Sequence, residues 1–170
     1  MNTTSIFTSR KLEKTIDTIS KNQDLQNEYL GEWIANLFYV SHKKCWIIIN
    51  KKTKYILVLE DVKKSDLKNI SKIFKEKLFN QLIKDKIKIE REVIENLIGE
   101  VNLYPTNNDR SANGSLNNCL LFFEDWKNEF GSFENMDFRD LNSRLNSSPN
   151  KMIDWKYPKE KMAEVLKAYA

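Results

Sequence analysis

The run Asp109-Arg110-Ser111-Ala112-Asn113-Gly114-Ser115-Leu116-Asn117-Asn118 gathers a guanidinium, small polar side chains and a glycine. An apolar periodicity follows it, Leu116, Leu120, Phe123 and Trp126, which predicts a helix over about 116–128 capped by Ser115. Unpaired N–H groups in a helix's first turn attract anions. Arg110 adds a planar fork that suits phosphate or carboxylate. Arg110, Ser111, Gly114, Ser115 and Asn117 therefore form a candidate anion-binding set. The competing reading is structural. In it Ser115 is a cap, Gly114 makes the turn, and Arg110 pairs with Asp109 or Asp125.

A second set is defined by charge. The chain has 170 residues and a formal charge of +4, yet residues 41–91 hold 15 Lys and Arg against 6 Asp and Glu. That segment carries +9 and the remainder −5, an asymmetry that points to an anionic partner for one face. Lys43, Lys44, Lys51 and Lys52 fall in turns, and Lys68, Lys72 and Lys75 lie off an apolar helix stripe. If they share one surface, they suit nucleic acid or a nucleoprotein. The competing reading leaves them as ordinary solvating lysines.

Other chemistry is poorly supported. The single histidine, His42, stands in a basic turn with no clustered ligands around it, so no metal site is expected. Cys45 and Cys119 form no CxxC pair and sit in apolar runs, as buried free thiols do. No nucleophile elbow, phosphate loop or dinucleotide fingerprint is present. No catalytic set and no cofactor are expected. Trp33, Trp46 and Trp126 fall within apolar patterns and read as core, whereas Trp155 lies in a polar segment.

The elements that position these residues begin with three apolar runs, Trp33–Val40, Cys45–Ile49 and Tyr55–Leu59. They are rich in β-branched and aromatic residues and are separated by short polar turns, the pattern of an antiparallel meander. Cys45–Ile49 has no polar alternation, so it is expected to be the middle strand, covered on both faces. Ser5–Thr8 predicts a first strand, and Ser9 a cap for a helix over roughly 10–20. Lys21–Glu28 reads as a loop.

Ser65 or Asp66 caps a predicted helix reaching about Lys84, striped by Leu67, Ile70, Phe74, Leu78 and Leu82. A helix over Glu90–Ile98 ends at Gly99. Val101–Tyr104 is a further strand, and 106–114 a polar loop. Asp137 caps a short helix with Phe138, Leu141 and Leu145, and Pro158 opens a last helix. The expected fold is a single α+β domain over 1–170: a small, mainly antiparallel sheet, with its meander at about 33–59, and helices packed on it.

Several segments resemble a bacterial family described only as a domain of unknown function, number 6933. Its Trp-x-Ala-Asn-Leu segment is matched by Trp33, Ala35, Asn36 and Leu37, and its Asn-x-x-Thr turn by Asn50 and Thr53. The Asp109–Asn118 run is similar to a later motif. There Asp109 stands where members have Asn, Asn113 where they have an apolar residue, and Asn118 where they have Asp. Leu141-Asn142, Arg144-Leu145-Asn146 and Tyr157-Pro158 also match. The resemblance spans nearly the whole chain and implies one domain; it implies no activity.

The function expected first is a non-catalytic binding protein that contacts nucleic acid or a nucleoprotein through the basic residues, for example a regulator or inhibitor in phage defence. One alternative is a small enzyme or anion binder at the Arg110 loop. Another is a protein–protein module, such as a homodimer on an exposed edge or apolar patch. No apolar run reaches membrane-spanning length, and the N-terminus lacks a signal-peptide core, so no membrane contact and a cytoplasmic location are expected.

Overall fold

The computed structural model describes residues 2–20 and 29–170. It is an α+β fold built on one five-stranded sheet. The strands are β1 (Thr3–Thr8), β2 (Trp33–Val40), β3 (Lys43–Asn50), β4 (Ile56–Leu59) and β5 (Glu100–Tyr104). Their spatial order is β4-β3-β2-β1-β5.

The meander forms as its sequence predicts. β2 pairs antiparallel with β3, and β3 with β4, so that Leu37 faces Trp46 and Trp46 faces Leu59. Ser41 and His42 form a two-residue loop with φ of 45° and 67°, the type I′ geometry that matches strand twist. The rest of the sheet differs from expectation. β1 runs parallel to both β2 and β5, so the sheet is mixed rather than mainly antiparallel. β1 reaches β5 across 91 intervening residues, a partnership that no local turn signal announces.

Both faces of the sheet are covered, which is why the strands lack polar alternation. Trp33, Ala35, Leu37, Trp46, Ile48, Leu57 and Leu59 point to one face. There α2 (Ile70–Lys84), α3 (Arg91–Ile98) and α6 (Pro158–Leu166) bury Phe74, Leu78, Ile94 and Met162. Phe74 meets the Trp33 ring edge-on, with centroids 5.1 Å apart. Ile34, Phe38, Cys45, Ile47, Ile49, Ile56 and Val58 point to the other face. α4 (Arg110–Phe130) and α5 (Phe138–Asn146) cover it with Leu116, Phe123, Phe138 and Leu141.

Several boundaries differ from those expected, each for a local reason. Ser9 caps α1 by accepting from Leu12 N–H, but α1 covers only Arg10–Glu13. The Thr15 hydroxyl then takes the Leu12 carbonyl, and Ser20 N–H donates to Leu103 O, which pulls the chain onto β5. Leu12 and Ile16 are buried all the same. The loop expected at Lys21–Glu28 lies outside the described residues. The helix expected from Ser65 begins as a 3-10 turn over Lys64–Asn69, and the Asp66 carboxylate accepts from Lys63 N–H.

Gly99 ends α3 as expected, with φ 61° and ψ −129°, a region essentially open only to glycine. Pro158 occupies the first turn of α6. Among the described residues, no helix is long and apolar enough to cross a membrane.

Candidate anion crevice at the ends of the parallel strands

The Arg110 segment departs most from the sequence expectation. α4 starts at Arg110, not after Ser115. Its cap is Asp109, whose carboxylate accepts from Ala112 N–H at 3.0 Å. Ala112 is fully buried against the sheet, and this extra anchor extends the apolar stripe one turn earlier. Gly114 and Ser115 are thus helix-interior residues, and Gly114 makes no turn.

The helical period then divides the predicted set. Arg110, Asn113 and Asn117 recur at three and four residues and face one crevice. Ser115, Asn118, Cys119 and Phe122 face another. Ser111 and Gly114 border neither crevice. The Asp109 carboxylate is not Arg110's partner either. It lies 3.5 Å from Lys51 Nζ, and Lys51 also holds Glu32 at 3.1 Å. The Ala112 N–H bond, helped by Lys51, keeps the Asp109 carboxyl below its ordinary pKa despite partial burial. The hydrogen bond to Glu32 raises that of Lys51.

The crevice at Arg110 has a clear origin in the fold. β1 and β5 are parallel neighbours, so their carboxyl ends open at the same edge. The chain leaves β1 into α1 on one face, where Leu12 is buried, and leaves β5 toward α4 on the other, where Ala112 is buried. Diverging connections of this kind leave a cleft outside the strand ends, the usual ligand position in parallel sheets.

The cleft measures about 720 Å³. Arg10 and Lys11 enter it from α1, and Arg110, Asn113 and Asn117 from α4. Asn36 of β2 closes its base. Ser9 Oγ and Leu37 N–H both donate to Asn36 Oδ1 at 2.8 Å, and Asn36 Nδ2 donates to Asn117 Oδ1 at 3.4 Å. Among the described residues no Asp or Glu lines it. Arg10, Lys11 and Asn36 are absent from the set read off the sequence. A Ser-Arg-Lys run directly after a strand was the available signal, but its meaning depends on β1 pairing with β5.

The predicted lysine face is dispersed. Lys43 and Lys44 stand at one end of β3, and Lys51 and Lys52 just beyond the other, roughly 25 Å away at strand rise. Lys43 borders a groove with Glu60, Asp61 and Glu134. Lys68, Lys72 and Lys75 do share a groove at α2, but Glu76 and Glu95 line it too. Trp33 and Trp46 are buried and Trp126 is half-buried, whereas Trp155 is 65% exposed at φ 62°. Cys45 and Cys119 are buried free thiols, and burial pushes the Cys119 thiol up to about 12.

Sequence reasoning also overlooked a polar cluster between α2, α5 and β4. Tyr55 Oη and Ser143 Oγ donate to the two oxygens of Asp85. Gln81 Nε2 donates to Arg139 O at 3.1 Å and to Ser143 Oγ at 3.2 Å. Burial and the adjacent Asp85 carboxylate push the Tyr55 phenol well above its ordinary pKa, so it stays a neutral donor. This network ties two helices from opposite faces around the β4 edge.

A family model described as a domain of unknown function, DUF6933, matches residues 5–161. No curated protein and no solved structure matches the chain.

Proposed function

The chain belongs to the DUF6933 family, a domain of unknown function, and we propose that it is a non-catalytic binding protein for a phosphate-bearing ligand, nucleic acid included, at the crevice between α1 and α4. The supporting observation is the concentration of Arg10, Lys11 and Arg110 around a polar cleft that no carboxylate lines among the described residues. The α2 lysines and Lys43 share their grooves with acids, and Lys51 is already paired, so their charge is largely offset. In the crevice the guanidinium groups offer planar forks, and Asn113 and Asn117 offer amide contacts. The cleft is polar and open, which suits a charged head group or a backbone phosphate better than an apolar molecule.

The test is thermal unfolding at matched ionic strength with phosphate, sulfate, mononucleotides and short single-stranded oligonucleotides. A ligand that favours the folded state raises the melting temperature by mass action. Phosphate-bearing ligands should stabilise the wild type more than chloride does. Arg110→Lys should weaken the response, and Arg110→Ala should weaken it further. If oligonucleotides bind, affinity should fall steeply with salt through counterion release. Equal responses in wild type and Arg110→Ala would sink the proposal.

A further inference from the structure

On the opposite side of α4 lies a second cavity, of about 300 Å³. Ile49 and Ile56 of the sheet line it, with Cys119 and Phe122 from α4, Leu145 from α5 and Met152 from the 3-10 turn Lys151–Ile153. Its size is at the lower bound for small-molecule sites, and apolar walls with few polar groups are typical of them.

The unusual group is Lys54, which borders this cavity. It is only 7% exposed and sits at φ 61° in the turn before β4. Asn50 fixes that turn by accepting from Lys52 N–H, Thr53 N–H and the Thr53 hydroxyl. Charged side chains this enclosed normally have a partner. Among the described residues, none forms an ion pair with Lys54. Burial lowers its pKa, and Asp109, which is itself held by Lys51, opposes that only at longer range. Among the described residues no Asp or Glu lines the cavity, while Ser115, Ser148, Asn118 and Asn150 add hydroxyls and amides and the exposed Lys151 stands at its rim. The unpaired Lys54 can balance one negative charge, and the apolar walls need a body that water does not hold.

We infer that this cavity binds a small monocarboxylate with a compact apolar body, its carboxylate on Lys54 Nζ and its body against Ile49, Phe122 and Met152. A phosphate group fits less well, because it brings close to two charges and no apolar body to set against Ile49, Phe122 and Met152.

The experiment is calorimetric titration of the full chain with benzoate, phenylacetate and hexanoate. Benzyl alcohol and hexanol are the neutral counterparts, and inorganic phosphate the control. Saturable binding of at least one carboxylate, tenfold or more above its neutral counterpart, is expected. Lys54→Met keeps the apolar stem and should remove that preference. Ser115→Phe should fill the cavity from α4 and abolish binding while thermal unfolding stays cooperative. Arg110→Ala should leave carboxylate binding unchanged, which separates this site from the crevice. No carboxylate titration, equal binding of neutral counterparts, or unchanged binding in both cavity variants overturns the inference. So does concentration-dependent dimerisation lost in Met152→Ser without any carboxylate effect, which would assign the surface to a second copy of the chain.

Discussion

The Asn146 side chain pairs with both backbone polar groups of Ile56, accepting its N–H at 2.8 Å and donating to its carbonyl at 3.1 Å. β4 is an edge strand, and its outward backbone groups need partners. A single buried amide from α5 supplies them in place of a sixth strand. Its Nδ2 also reaches Asp85 Oδ2 at 3.3 Å, which links the edge to the Tyr55–Asp85–Ser143 cluster. We predict that Asn146→Ala costs about 2–4 kcal/mol, since two buried backbone groups lose their partners. Asn146→Asp should cost at least as much, because it sets a second carboxylate beside Ile56 O and Asp85. Urea titration checks both. A loss under about 1 kcal/mol in each would mean the pairing contributes little.

A second prediction concerns Trp46, 2% exposed on the middle strand of the meander. Trp46→Ala should destabilise by roughly 3–5 kcal/mol, the range for truncating a buried aromatic side chain. Denaturant titration followed by circular dichroism gives the value. A shift below about 1 kcal/mol would contradict its place in the core.

Asp109 sets a pH dependence whose sign is fixed. Its folded-state pKa is depressed, first by the Ala112 N–H bond. The charged form therefore contributes stability that is present above the unfolded pKa and lost as pH falls through the folded one. Asp109→Asn keeps a cap without the charge. Wild type should exceed it in stability at neutral pH, and the difference should vanish below the ordinary carboxylate range. Asp109→Ala should cost about 1 kcal/mol through the lost cap. Melting curves from pH 2 to 7 test this, and a gap between wild type and Asn that does not change with pH would refute it.

Gly99 yields the sharpest geometric prediction. Its φ of 61° disfavours any side chain, and a methyl group there would collide with the carbonyl of Asn2. That carbonyl accepts Glu100 N–H at 2.9 Å, where β1 and β5 meet. Gly99→Ala should cost well over about 1 kcal/mol. Gly114→Ala, in open space within α4, should be neutral or stabilising by up to about 1 kcal/mol. A reversal of that order in thermal melts would mean the strand junction yields easily.

The sequence was legible wherever the signal was local. Trp33–Leu59 announces its own hairpins through apolar runs and turn residues, and Asp137 and Pro158 mark helix starts by chemistry that acts within a turn. The cap at Asp109 is hard to read because Ala112, small and weakly apolar, does not stand out as the first buried position of α4. Starting the helix one turn late sets Ser115 at an entrance it does not occupy. Arg10 and Lys11 stayed hidden for a different reason. They join Arg110 only because β1 pairs with β5, and the Thr3–Glu100 register has no local sequence signature. The lysines were counted correctly, but charge along a chain does not reveal which acids the fold brings beside it. Lys54 is indistinguishable among them in the sequence, because burial cannot be read from residue type.

The position of β1 also has a kinetic consequence. The β2–β3–β4 meander closes over short turns, whereas β1 gains its second neighbour, β5, only after a loop of 91 residues closes. Loop entropy makes that closure roughly 2–3 kcal/mol costlier than a turn of a few residues. The meander should therefore be structured in the folding transition state, with β1 and β5 joining late. In stopped-flow chevrons, Ile47→Val should slow refolding, whereas Val101→Ala should mainly speed unfolding. The opposite pattern would place the parallel pair in the nucleus. Until β1 arrives, β2 is an edge strand open to whatever extended segment reaches it first.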